Sequence, residues 1–327
     1  METTAAVCRA TFSIIIPHLN GKQHLQECLG SLRGQTFTDF EVILVDNGSS
    51  DGSQEFVRTH FPEVRLLELG ENRGFTGACN AGYNFALGDI IVLLNNDTMT
   101  DERWLEKLAD AFRRVPEAGS VASKMLLFDQ QDVIHSAGDY YRVDGIPGNR
   151  GVWQKDAPKY NEEMFVFSAC GGAAAYRREL LCEIGFLDND FYFSCEDLDL
   201  AWRIHLAGHK VLYAPQAVIY HKLKASSGPG PLSSYYDGRN FLYIIWKNYP
   251  FSLLRRHWPE IFQAQLAISR DALKSWRGQA SRARLRGQLA GLWGIFKMLR
   301  KRSEIQTARC IDDRTLEALF TPVDETP

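Results

Sequence analysis

The sequence predicts an α/β protein built on a mostly parallel central sheet with helices on both faces. Three observations carry this. The runs FSIIIP (from Phe12), FEVILV (from Phe40) and IIVLL (from Ile90) are apolar but for Ser13 and Glu41, as strands covered on both faces are. The segments between them carry apolar residues at helical spacing. The ends of the first four predicted strands carry Asn20, Asp46, Asn72 and Asp97, and open α/β sheets bind ligands outside the carboxyl ends of their strands.

In order, Phe12 to Pro17 is a buried strand running into the polar turn His18–Gly21. A helix follows with Leu25, Cys28, Leu29 and Leu32 on one face. Phe40 to Val45 is the second strand, stopped by Asp46. The turn from Asn47 to Ser53 supplies Ser and Asp for capping the next helix. Val64 to Leu69 is the third strand. After Gly70–Gly74 a helix covers Thr76 to Leu87, its start offering N–H groups and Gly74 a close backbone approach to phosphate or ribose. Ile90 to Leu94 is the fourth strand, ending in Asn95-Asn96-Asp97. No G-x-G-x-x-G follows the first strand and no G-x-x-x-x-G-K-[ST] loop occurs, which argues against dinucleotide and P-loop sites.

Residues 123–222 are less regular. They hold a possible hairpin near Tyr140–Gly151, a Gly171-Gly172 turn, and an acidic stretch from Phe191 to Leu200 that enters a helix at about Leu198–Ala207. A strand from Lys210 to Tyr213 and the stretch Ala214–Tyr220 lead to His221. The Ser/Gly/Pro-rich break at 226–231 divides residues 1–230 from a mostly helical extension, 231–327.

The formal net charge of −3 gives no reason to expect nucleic acid. The charge is uneven, however. Residues 239–302 hold fourteen Lys/Arg against Glu260 and Asp271, a local +12 that leaves −15 for the rest. Such a block meets an anionic partner or packs against the acidic remainder. Seven scattered cysteines without C-x-x-C spacing suit a reducing compartment. Met1–Arg9 lacks a signal-peptide core, and no run of about 18 apolar residues exists. The expectation is a cytoplasmic protein.

Five blocks then carry a resemblance: FSIIIPHLNG, VDNGSSDGS, ENRGFTGACNAGYNFA, IIVLLNNDT, and FYFSCEDLDLAWRIHLAGHKVLYAP with the following His221. In this order, over roughly residues 11 to 225, the chain resembles the family 2 inverting glycosyltransferases of GT-A fold, in their rhamnosyltransferase-like branch. The resemblance implies that Asp46 meets the nucleobase, with Pro17 and Asn20 beside the nucleotide and Asn72, Gly74, Asn80 and Asn96 along the nucleotide sugar. It implies that Asp97 and His221 hold a divalent cation, Mg²⁺ or Mn²⁺, with Asn95 replacing the first acid of the D-x-D pattern. It makes Asp197 the base with Glu196 beside it, and Gly171 and Gly172 the space left for the acceptor. The residue types suit the chemistry. A leaving diphosphate gains charge that a hard cation neutralises, and a carboxylate within reach can take the proton of an attacking hydroxyl. Read alone, the same residues also serve as turn and helix-start carboxylates, Asp199 and Arg203 as an i, i+4 bridge, and Lys222, Lys224, Ser226 and Ser227 as a solvated basic loop or a closing one.

The partners expected are a nucleoside-diphosphate sugar and a glycan or lipid-linked acceptor in cell-surface polysaccharide synthesis. A nucleotide-sugar-binding or scaffold protein without catalysis is the alternative that Asn95 keeps open. From Ala283 to Arg302, Leu285, Leu289, Leu292, Phe296 and Leu299 recur at helical spacing among basic residues, with Trp293 beside them. That helix suits an anionic membrane surface, or packing on the catalytic domain or in an oligomer.

Overall fold

The computed structural model describes residues 11–222 and 230–325. Its first part alternates as the apolar runs dictate: β1 (Phe12–His18), α1 (Lys22–Arg33), β2 (Phe40–Asp46), α2 (Ser53–His60), β3 (Arg65–Glu68), α3 (Gly74–Phe85) and β4 (Ile90–Leu94). Then come β5 (Thr98–Thr100), α4 (Trp104–Arg114), β6 (Ala118–Leu127), β7 (Ile134–Ser136), β8 (Asp139–Tyr141), β9 (Pro147–Asn149), β10 (Met164–Val166), β11 (Ala173–Arg177), α5 (Arg178–Ile184), α6 (Glu196–Leu206) and β12 (Lys210–His221).

The main sheet runs β10-β12-β6-β11-β4-β1-β2-β3. Following the pairings, six of these eight strands point one way, and β11 and β10 run against them. The mostly parallel sheet expected from the sequence is therefore present. The antiparallel β11 brings Gly171-Gly172 to the edge where the parallel strands end, since Ala173 pairs with Leu94 and Asn95 N–H donates to the Gly172 carbonyl at 3.0 Å. β12 is one long strand that takes in both the strand expected from Lys210 and the stretch up to His221, bent by register shifts. The expected hairpin is β8–β9.

Both sheet faces are covered. Ile14 and Ile16 pack on one side with Leu25, Leu29, Trp104 and Leu108; Ile15 and Ile43 pack on the other with Cys79, Tyr176 and Ile204. Alternating side chains that are apolar on both faces explain the near-continuous apolar runs. Each such side chain contributes about 1.5–3 kcal/mol on burial.

Beyond the break lie α7 (Pro231–Asn248), α8 (Phe251–Arg256), α9 (Trp258–Lys274), α10 (Gln279–Trp293), α11 (Ile295–Thr307) and α12 (Asp313–Glu317). A third core cluster joins them to the sheet domain: Tyr141, Phe167 and Trp202 pack with Ile245, Tyr249 and Phe320. Helices α7 and α10 meet through small residues. A side chain at Gly287 would strike the Tyr235 carbonyl, and one at Gly291 the Arg239 carbonyl and Leu242.

The single helix expected from 283 to 302 is two, broken at Gly294, where a Cβ would collide with the Tyr243 ring at 2.4 Å. The face of α10 turned inward is thus Ala283, Gly287, Gln288 and Gly291. Leu289, Leu292 and Trp293 face outward instead, and Leu285 is half-buried. Among the described residues no helix is long and apolar enough to cross a membrane.

Candidate active site

Three groups of side chains meet where the parallel strands end. The first forms around the turn after β4. Asp97 is 1% exposed and His221, at the end of β12, 3%. Asp97 Oδ1 and His221 Nε2 lie 3.1 Å apart, and the Asn95 amide is 3.5 Å from the same nitrogen. The other ring nitrogen of His221 meets His135 Nδ1 at 3.1 Å, the two rings stacked 4.8 Å apart. Burial first, and His221 second, push His135 down to about 3, so it is a neutral partner.

This set fits a divalent cation. Two ligand atoms about 3 Å apart suit neighbouring positions on an ion with bonds of about 2.1 Å. A carboxylate and an imidazole offer oxygen and nitrogen, a mixture better for Mn²⁺ than for Mg²⁺. A metal-bound histidine is held through its second nitrogen, and His135 is placed to do that here.

The second group forms around Asp46. This side chain, 1% exposed, accepts from the Ser49 N–H at 3.2 Å and the Gln54 amide at 2.9 Å. Asn47 ties two loops together. Its amide donates to Asn72 Oδ1 and the Gly74 carbonyl at 3.0 and 3.1 Å, and its oxygen accepts from the Arg73 N–H at 2.8 Å. Asn20, at φ 50°, accepts from Ser50 N–H at 2.8 Å and donates its own N–H to Ser49. A donor chain links this group to the first. The Asn96 amide donates to His18 Nδ1 at 2.8 Å, His18 Nε2–H to Ser53 Oγ at 2.7 Å, and Ser53 to Asp51. Burial lowers the His18 pKa, which favours the neutral ring such a chain needs.

The third group surrounds a cavity of about 430 Å³ lined by Asn95, His221, His135, Asp139, Gly171, Gly172, Glu196 and Asp197 among others. Asp197 Oδ2 accepts from Gly171 N–H and Oδ1 from Leu198 N–H, each at 2.7 Å. Burial raises the Asp197 pKa against these two donors. Glu196 is pushed up to about 8 by burial and by Asp197, and one of its oxygens is buried without a hydrogen-bond partner. The preceding loop is strained: Tyr192, Ser194 and Cys195 all have φ between 62° and 68°, at about 1–2 kcal/mol each. Helix α7 holds it there. The Asn240 amide, fully buried, donates to the carbonyls of Phe191, Phe193 and Ser194, and Asp237 accepts from Ser194 Oγ at 2.6 Å.

The remaining expected residues fall as follows. Pro17 pairs with Val45 just before the β1 turn. The start of α3 is largely occupied by the protein itself: Gly74 N–H bonds Asn72 Oδ1 and Thr76 N–H the Tyr192 carbonyl, and Tyr192 fills the space over Gly74. Asn80 donates to the Leu187 carbonyl and to Asn189, each at 2.8 Å, tying α3 to the loop after α5. Asp199 and Arg203 do form the i, i+4 bridge, at 3.0 Å, extended by Lys247 and Asn248. Lys224, Ser226 and Ser227 lie outside the described residues. The six described cysteines are unpaired.

Sequence reading missed Asn47, His135 and Asp139. Asn47 sits inside a quoted block and could have been found there. His135 and Asp139 lie on short strands in a stretch without readable periodicity.

A sequence profile described as glycosyl transferase family 2 matches residues 13–185, more than half of the chain. Among curated proteins, the chain is 28% identical over 237 residues to the N-acetylglucosaminyl-diphospho-decaprenol L-rhamnosyltransferase of Mycobacterium tuberculosis, covering 64% of this chain and 75% of that one. It is 23% identical over 263 residues to the poly-beta-1,6-N-acetyl-D-glucosamine synthase of Staphylococcus epidermidis, covering 78% of this chain but 58% of the synthase. Among solved structures, the mannosyltransferase PcManGT of Pyrobaculum calidifontis, in complex with GDP-Man and Mn²⁺, superposes with a TM-score of 0.54 at 19% identity, over 92% of this chain and 85% of that one. GalNAc-T7, with UDP, GalNAc and Mn²⁺, gives 0.58 at 17% identity, over 74% of this chain and 48% of that one. At these identities the structural likeness speaks for the fold.

Proposed function

The chain belongs to glycosyl transferase family 2 and has the GT-A fold, and from that premise we propose that it is an inverting, metal-dependent transferase. The donor is a nucleoside-diphosphate sugar, with rhamnose the first sugar to try. The acceptor is a hydroxyl of a glycan or lipid-linked saccharide in cell-surface polysaccharide synthesis. One observation carries the reading: His221, bonded to Asp97, and Asp197 line a single cavity at the edge where β1, β2 and β4 end. The relatives' rhamnosyl and N-acetylglucosaminyl chemistry and the neighbours' Mn²⁺ support it.

Asp97 and His221, with Asn95 beside them, would hold Mn²⁺ or Mg²⁺, which when bound neutralises charge on a leaving diphosphate. Asp46, Asn20 and Pro17 flank the nucleotide. Asp197, fixed by two backbone N–H groups, accepts the acceptor's hydroxyl proton. The freed oxygen lone pair bonds the anomeric carbon, and the anomeric C–O bond breaks with its pair leaving on the diphosphate. The test is release of nucleoside diphosphate from dTDP-rhamnose, UDP-GlcNAc, UDP-glucose and GDP-mannose with Mn²⁺ or Mg²⁺ and candidate saccharide acceptors. Donor binding without release, acceptor present, would instead favour the binding-protein reading.

The outer face of α10–α11 supports peripheral docking on the inner, anionic face of the cytoplasmic membrane. Trp293 is 91% and Phe296 79% exposed, with Leu289 and Leu292 also outward. Arg282, Arg286 and Arg300 are exposed around them. Part of the basic excess serves the fold instead: Lys247, Lys297, Lys301 and Arg284 pair with Asp188, Asp190, Asp199 and Asp237. The outward remainder matches anionic lipid at about 1 kcal/mol per cation. Flotation with phosphatidylglycerol vesicles checks this. A folded protein that stays unbound, or that sediments as a dimer covering Trp293, rejects it.

A further inference from the structure

A second carboxyl shares the cavity with Asp197. Asp139, at the start of β8, Asp197, at the start of α6, and Cys170 bring one carboxylate oxygen of each acid and the thiol sulfur within 4.8 Å of one another. Asp139 is not there by default. Its Oδ1 accepts from Ser136 Oγ at 2.8 Å and from the Asn149 amide, across the β8–β9 hairpin, at 2.7 Å. Asp197 is held as firmly by Gly171 and Leu198. Two carboxyls are thus fixed side by side, each by two donors of the protein.

Little offsets their mutual repulsion. Glu196 and Cys195 face the cavity from the α6 side, Asp237 from α7, Cys170 from the turn before β11, and His135 and His221 from β7 and β12. Among the described lining residues there is no Lys or Arg. A hard cation would be an answer, but a thiol is a poor ligand for one, and burial raises the Cys170 pKa far above its ordinary value. A proton is the simpler answer.

We propose that Asp139 is a positioning residue of the transfer site: it shares one proton with Asp197 and thereby sets the pH below which Asp197 stops accepting the acceptor's proton. This rests on the transferase reading above. With no proton on the pair, the Asp197 carboxylate is free to receive the hydroxyl proton. Once the pair has taken up its shared proton, at a pH raised by the two neighbouring charges, it is not. Asp139 is pushed up to about 7 by burial and by Asp197, which agrees.

Two measurements test it. The first needs no substrate: the full chain, labelled with [¹³C-carboxyl]aspartate, is titrated in EDTA from pH 4 to 9. Two coupled steps are expected, at least one well above the ordinary aspartate range. Asp139→Asn should abolish one and move the other down by about one pH unit or more. Asp197→Asn should do the same reciprocally, so the test survives poor folding of either variant. Ordinary, independent aspartate titrations in the wild type overturn the proposal. The second is the pH profile of nucleoside-diphosphate release. Asp139→Asn should move its acid limb down by a similar amount, whereas a purely structural role lowers the plateau and leaves the limb in place. If the coupled titration is found but no donor in the panel reacts, the transferase reading falls and the shared proton stands.

Discussion

Asp46, buried, and Asp197, half-buried, both lie at the edge where the parallel strands end, yet their surroundings differ. Around Asp46 the polar atoms are matched. Ser49 and Gln54 satisfy the carboxylate, and Asn20, Asn47, Asn72 and Asn96 are engaged with neighbouring turns. Around Asp197 they are not. Four carboxyls crowd one cavity, Glu196 keeps an unpartnered oxygen, and the loop before α6 sits in left-handed backbone clamped by Asn240. Preorganised binding is served by the first arrangement; the second stores strain and raised pKa values where a proton must move. Substitutions in the matched half should therefore lower stability, and substitutions in the crowded half should lower turnover while leaving or raising stability.

The largest effect expected is at Asp197. Asp197→Asn should reduce nucleoside-diphosphate release with acceptor by about 10³-fold, within the range for a general base, with donor affinity unchanged by calorimetry. Loss of donor affinity instead would move Asp197 into the nucleotide half and dissolve the contrast. Next comes Asp97→Ala. Removing the carboxylate beside His221 should weaken Mn²⁺-dependent donor binding by about 10²-fold, a loss of about 2.7 kcal/mol. An unchanged Mn²⁺ requirement would take Asp97 out of the ligand set. Third, Asn47→Ala strips three hydrogen bonds from a side chain 5% exposed. It should destabilise the fold by about 2–3 kcal/mol, read as a lowered urea midpoint. A change below about 0.5 kcal/mol would show the nucleotide half to be less tightly matched than its geometry says.

The matched half was the legible half. Strands apolar on both faces end in Asp46 and Asp97, and the polar turns after them are local in sequence, so periodicity and turn chemistry located them. An acidic pair at a helix start marked Glu196 and Asp197 together, and only the family resemblance singled out Asp197. What Asp197 faces was not legible. Asp139 reaches Asp197 only through the β8–β9 hairpin, and His135 reaches His221 only because β7 pairs with β6 and β6 with β12. Three-residue strands carry too few side chains to show a period, and pairings between distant strands leave no mark in a single sequence. The tail taught a related lesson. Leu289, Leu292 and Phe296 were recognisable as one face, but glycines at 287, 291 and 294 chose the inward face by close approach of backbones. Apolar periodicity finds a stripe and does not say which way it points.

The smallest effect expected, at Glu196, is the sharpest test of the contrast because it predicts a gain. Folded Glu196 loses its proton only near pH 8, whereas in the unfolded chain it does so near the ordinary value of 4.5. Between those values the folded state holds a proton that the unfolded state has shed. Stability from this group is therefore complete below about pH 4.5 and falls as pH rises towards 8. Glutamine reproduces the protonated side chain's shape, with an N–H donor in place of its O–H and without the ionisation. Glu196→Gln should leave the melting temperature unchanged at pH 4.5 and raise it by a few degrees at pH 8. Turnover should fall, since Glu196 lines the same cavity as the base. A lowered melting temperature at pH 8 would mean that ionised Glu196 has a partner in the folded protein, and that the crowded half is as well matched as the nucleotide half.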